Sequence, residues 1–145
     1  MAVRRALLLS TVAFVSALVG GCSYPGMVDP EARNLANQAI HAAFVDDDEA
    51  KLIALSSPDM LRVSPPGMIH KMVTVYSRAC GKLKEYELDR GLQQSFFSVT
   101  LFRTLKQARF VATAQCRQHP VTILVQVGYD RAWKLLGINF NISMM

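Results

Sequence analysis

Two hydrophobic periods run through this chain, and they meet near Gly81. Before that point apolar positions recur at helical spacing. After it they follow the strand period, with β-branched and aromatic residues broken by turn signals. Asp29 can cap a first helix, Pro30 suits its first turn, and Glu31 suits the positive end of its dipole. Ala32, Leu35, Ala36, Ala39, Ile40, Ala43 and Phe44 then form one apolar stripe, which stops at Asp46-Asp47-Asp48. One of these aspartates is expected to cap a short second helix carrying Leu52, Ile53 and Leu55. Ser57 to Gly67 holds three prolines and reads as a loop. A third helix follows, with Met68, Ile69, Met72, Val75, Tyr76 and Ala79 on one face and Gly81 placed to end it.

The expected strands are Lys82 to Leu88, Phe96 to Thr104, Ala108 to Cys116, Val121 to Val127 and Ala132 to Phe140. The fourth alternates most regularly, with Val121, Ile123, Val125 and Val127 on one face. In the third, Phe110, Ala112, Ala114 and Cys116 share a face. Asp89-Arg90-Gly91, His119-Pro120 and Gly128-Tyr129-Asp130 are the expected turns. Helices first and strands afterwards imply an α+β domain, its helices packed on one face of a curved antiparallel sheet. Trp133 should pack against the helical layer, with Leu135 or Leu136 buried alongside Phe44 and Tyr76.

The segment from Asp29 to Ile142, with its Ala-Trp-Lys-Leu-Leu-Gly-Ile last strand after a Gly-Tyr-Asp turn, resembles the nuclear transport factor 2-like fold, also described as cystatin-like and shared with ketosteroid isomerases. The resemblance implies a cone-like sheet wrapped around a long helix. Such folds host enzymes and binders alike, so function has to be argued from a site.

The N-terminus carries a different signal. Arg4 and Arg5 precede Ala6 to Leu18, an uncharged run of 13 residues broken only by Ser10, Thr11 and Ser16. Gly20 and Gly21 then lead into Cys22. An apolar run this short suits a signal peptide better than a spanning helix, which needs ~20 apolar residues. The arrangement resembles a bacterial lipoprotein signal. The resemblance implies cleavage before Cys22, diacylglycerol on its thiol and, with Ser23 rather than Asp following, sorting to the outer membrane with the domain facing the periplasm. The expected organisation is residues 1–21 as signal peptide, 22–28 as lipidated tether and 29–145 as a periplasmic domain.

Export changes the reading of charge and cysteine. The chain has 16 Lys and Arg against 11 Asp and Glu. Without Arg4 and Arg5 that becomes 14 against 11, or +3, too little to argue for nucleic acid. Residues 51 to 110 hold ten Lys and Arg against four acids, which reads as a solvated face or as a basic surface resting on anionic lipid. Cys80 and Cys116 remain after Cys22 is taken by lipid. In an oxidising compartment they form either a disulfide or two buried thiols, and spacing does not decide between them.

No established catalytic motif is present: no Gly-x-Ser-x-Gly, no His-Glu-x-x-His, no phosphate loop and no dinucleotide fingerprint. His41, His70 and His119 are far apart, so no metal or cofactor is expected, and the Asp46–Glu49 run lacks the spacing and glycine of a calcium loop. Isomerase-like chemistry would need a buried carboxylate beside Tyr76, whose hydroxyl is expected at a pocket mouth. Asp59 and Asp89 are the only candidates, and neither lies in an apolar run. Met60, Met68 and Met72 read as core. The pocket or core candidates are Phe44, Met72, Tyr76 and Trp133. The expected activity is a non-enzymatic lipoprotein whose domain binds an envelope protein partner or a small apolar ligand. A pocket enzyme of isomerase or hydrolase type and a structural subunit of an envelope complex are the alternatives.

Overall fold

Asp29 opens the first helix as its spacing requires, its carboxylate accepting the Glu31 backbone N–H at 2.9 Å. The computed structural model describes residues 27–143. The signal peptide, Cys22 and most of the tether therefore lie outside the described residues, as do Met144 and Met145. Helix α1 (Pro30–Ile40) runs directly into a π-helical turn, His41–Val45. There the Asp46 N–H reaches back five residues to the His41 carbonyl at 2.8 Å. The wider turn brings Ala42 inward beside Ala43 and Phe44, and all three are fully buried.

Three further helices follow: α2 (Glu49–Leu55), α3 (Pro58–Val63) and α4 (Pro66–Cys80). Asp48 supplies the α2 cap, accepting from Lys51 N–H at 3.0 Å. The loop expected over Ser57–Gly67 is instead helix α3 and the start of α4. Its prolines are start signals. Pro58 and Pro66 sit in first turns, where the missing N–H has no helical partner to lose. Ser57 Oγ caps α3 by accepting from Met60 N–H at 3.0 Å. The buried face of α4 is also narrower than its spacing suggests. Ile69, Val73 and Tyr76 are buried, whereas Met68, Val75 and Ala79 are exposed and Met72 is half-buried. The helix packs chiefly on the π-turn and α2 and meets the sheet only near its C-terminal end, through Tyr76 and Cys80, so a thin stripe satisfies it.

The helices lie on a curved, open, antiparallel sheet, giving the α+β architecture. The strands are β1 (Tyr86–Leu88), β2 (Leu92–Ser98), β3 (Arg103–Cys116), β4 (His119–Asp130) and β5 (Ala132–Ile142). β3, β4 and β5 form a meander, and β1 and β2 share the other edge of β3 in succession. Between those two short strands, Asp89 accepts the N–H groups of Gly91 and Val111 at 3.1 and 3.0 Å. Gly91 has φ 77°, and a Cβ there would meet the Phe110 ring at 2.5 Å. Both the backbone sign and the space require glycine.

Four expected elements move. The strand expected over Phe96–Thr104 folds back on itself, with Val99–Phe102 forming a hairpin tip between paired Ser98 and Arg103. His119-Pro120 and Gly128-Tyr129-Asp130 are not turns but parts of β4. The chain reverses instead at Arg117-Gln118 and at Arg131, with Arg117 and Arg131 at φ 58° and 71°. The first strand shrinks to Tyr86–Leu88, its end of β3 being shared with nothing longer.

A bulge in β5 decides which of its residues face the helices. Gln126 pairs with Gly137 and Val127 with Leu135, leaving Leu136 unopposed. The extra residue reverses the alternation. Trp133 and Leu135 point inward before it, and Ile138 after it. Without the bulge Gly137 and Asn139 would take the core positions. Leu136 lies over Gly128, where a Cβ would come within 2.7 Å of it.

The core is continuous. Ala32, Ala36, Ala39 and Ile40 of α1 meet Phe110 and Ala112 of β3, Ile123, Val125 and Val127 of β4, and Leu135 of β5. Cys80 and Cys116 are joined by a disulfide, with Cα atoms 4.8 Å apart, which ties the end of α4 to the end of β3.

Candidate functional site

The four pocket or core candidates do not converge. Phe44 and Tyr76 do meet, with ring centroids 4.4 Å apart, and Phe140 closes the cluster edge-on at 5.9 and 5.0 Å from them. Met72 packs on the margin of this core. Trp133 lies seven residues away along β5 from Phe140, tilted against Tyr129 at 5.5 Å. Phe44 and Tyr76 are buried and Phe140 packs against them, so the cluster is part of the core.

Tyr76 departs from expectation. Its hydroxyl is not at a pocket mouth: the residue is 1% exposed and the oxygen has no hydrogen-bond partner among the described residues. Burial pushes its pKa up from the ordinary tyrosine value. Neither suggested carboxylate reaches it. Asp59 pairs with Arg62 on the surface, and Asp89 is engaged by the backbone between β1 and β2.

The histidines are equally dispersed. His41 is exposed and meets Tyr86 edge-on at 5.9 Å. His70 Nδ1 lies 2.7 Å from a Glu49 carboxylate oxygen, linking α4 to α2. His119 begins β4 opposite Cys116. Among the described residues no group of three His, Cys, Asp or Glu side chains gathers to hold a metal. Met60 is buried, as a core methionine should be, but Met68 is 56% exposed.

Two surface features stand out. The first is a groove of about 810 Å³ beside β1. Lys82, Lys84, Glu85 and Glu87 line one side, and Gln115 and Arg117 line the other. Among the described residues β1 pairs only with β3, and Arg33 donates to the Leu88 carbonyl at its end. Tyr86 is fixed at the groove by a hydrogen bond from its hydroxyl to Asn37 Oδ1 at 2.8 Å. Desolvation raises its pKa, and the nearby Arg33 charge lowers it by less.

The second feature is the tip of the β2–β3 hairpin, which sequence reasoning placed inside a strand. Phe97, Val99, Leu101 and Phe102 are exposed there, Val99 and Phe102 by 80% and 83%. The Phe97 and Phe102 rings meet edge-on at 5.6 Å. Phe102 has φ 54°, a left-handed backbone that ordinarily goes to Gly or Asn. The available sequence signal was the loss of alternation at Leu101-Phe102, in a run with no Gly, Asn or Pro.

Comparisons with known protein families, with curated proteins and with solved structures find no match. No helix among the described residues is long and apolar enough to cross a membrane, which says nothing of a β-barrel.

Proposed function

We propose that this chain is a non-enzymatic outer-membrane lipoprotein, anchored through Cys22, whose periplasmic domain binds a protein partner over its surface. One observation carries the choice of a protein over a small apolar ligand. The space between helices and sheet is closed by Phe44, Tyr76 and Phe140, so an internal ligand would have to displace core side chains. The open groove between β1 and the adjoining ends of β3 and β4 is lined by charges of both signs. An extended segment of a partner could lie in such a groove and pair its own charges with Lys84 and Glu87.

The anchor reading is supported by the Arg4-Arg5 start, the short apolar run and the Gly20-Gly21-Cys22 junction. Three acyl chains would make attachment effectively permanent, where one gives only marginal binding. Chemical cross-linking in intact cells, followed by mass spectrometry, tests the partner. A discrete envelope protein linked to Lys82 or Lys84 supports the reading, and links confined to random abundant proteins refute it. Fatty-acid labelling tests the anchor. Cys22→Ala should abolish it, and undiminished labelling refutes that part alone.

A further inference from the structure

The β2–β3 hairpin extends past the helical layer. On the face of β3 turned toward the helices, Ala108 is buried, Lys106 is half-buried and Thr104 is exposed, so cover ends near Ala108. No residue of β2 is buried. The protruding end finishes in Phe97, Val99, Leu101 and Phe102, large apolar side chains held apart from the core. The tip makes a turn whose backbone favours Gly or Asn, and it carries Phe. A contiguous apolar patch of this kind marks a surface that something else covers.

Charge and chain path identify the cover. Residues 92–106 and the β4–β5 turn region, 127–134, make up this end of the sheet. They carry Arg103, Lys106, Arg131 and Lys134 against a single acid, Asp130. Asp130 is taken by Arg103 through paired hydrogen bonds. Lys106 lies over the Tyr129 ring at 5.2 Å, and Arg131 is exposed at the turn. The end is therefore apolar at its point and cationic behind it. A bilayer of anionic phospholipid has the complementary order, charged head groups outside and hydrocarbon within.

The N-terminal chain arrives at the same end. The Asp29 N–H donates to Gln93 Oε1 at 2.7 Å. From there α1 runs back past Leu88, which accepts from Arg33, to Tyr86, which donates to Asn37, and so away from the tip. Asp29 lies seven positions after Cys22, a reach of at most ~24 Å. Val99 lies six positions after Gln93, or ~20 Å along the strand. A lipid on Cys22 and the hairpin tip can thus meet one membrane surface together.

We propose that the β2–β3 hairpin tip is a second membrane contact: Phe97, Val99, Leu101 and Phe102 enter the interfacial layer of an anionic phospholipid bilayer, with Lys106 and Arg131 at the level of the head groups. The inference rests on the anchored reading for which surface is in reach. It also orients the domain. The groove beside β1 lies at the opposite end of β3, near Cys116, and faces away from the membrane.

The test uses the full protein extracted from membranes and reconstituted into vesicles of phosphatidylethanolamine and phosphatidylglycerol, with or without brominated acyl chains. Phe102→Trp puts a reporter at the tip, and Gln118→Trp puts one at the far β3–β4 turn. Native Trp133 contributes equally to both and is subtracted. Emission from the tip reporter should shift to the blue and be quenched severalfold more by brominated chains than emission from the far reporter. Adding Val99→Ser and Leu101→Ser to the tip reporter should abolish that excess with an unchanged circular dichroism spectrum. Equal quenching at both positions, with acrylamide reaching both alike, overturns the proposal. So does a tip that lipid does not quench and that cross-links to a protein in cells. Intact mass of the same preparation reads acylation of Cys22 separately. An unacylated chain with a quenched tip refutes the anchor only, and an acylated chain with an unquenched tip refutes the hairpin only.

Discussion

The ring of Tyr76 packs 4.4 Å from that of Phe44, and the buried Tyr76 hydroxyl finds no partner. A buried polar atom without a hydrogen bond costs about 1–3 kcal/mol, while the ring itself contributes packing. Tyr76→Phe keeps the packing and removes the orphan. The variant should be as stable as the parent or more stable by about 1 kcal/mol, read from urea unfolding. Destabilisation would show that the hydroxyl is satisfied.

The same group predicts an alkaline response. Burial raises the folded-state pKa of Tyr76 above its unfolded value of about 10. Its neutral form therefore contributes stability that is fully present below pH about 10 and lost as pH rises from there through the folded pKa. Thermal unfolding followed from pH 8 upward should show a steeper loss in the parent than in Tyr76→Phe.

The Cys80–Cys116 disulfide closes a loop of 36 residues. In the chain-entropy account such a bridge adds ~3–4 kcal/mol, mainly by restricting the unfolded chain. Cys80→Ala with Cys116→Ala should lower the urea midpoint accordingly. Mass analysis of the native protein after thiol blocking should find neither cysteine alkylated.

Ser57 serves two contacts while almost wholly buried. Its hydroxyl caps α3 and its backbone N–H donates to the Leu135 carbonyl at 2.8 Å, covering the free edge of β5. Ser57→Ala loses the cap and keeps the edge contact, and should cost about 1–2 kcal/mol. An unchanged midpoint would mean that water replaces the hydroxyl.

At the tip end of the sheet, hydrogen bonding to Arg103 holds the Asp130 carboxyl below the usual aspartate range. Arg103→Gln should move its titration upward in carbon-detected NMR. The folded pKa is the depressed one, so any contribution of this pair is present above pH about 4 and lost as pH falls through the folded value. Both groups are solvent-facing, so the titration and not stability is the quantity to read.

Much of the fold was legible in the chain itself. The α1 stripe from Ala32 to Phe44, the Asp29 cap, the alternation of Val121 to Val127 and the order of helices before strands all express local period and capping. These depend on neighbours within a few residues. What escaped depends on contacts between distant segments. Pro58 and Pro66 read as breakers because a proline opening a helix and one ending it look alike until the chain around them is placed. The width of the α4 stripe depended on what the helix packs against. The inward face of β5 was set by the bulge at Leu136, where one extra residue reverses every side chain after it. The apolar run from Phe96 to Phe102 had the composition of a core strand. Only its pairing with β3, beyond the reach of the helices, turned those residues outward, because burial belongs to the layer that covers a strand and not to the strand alone.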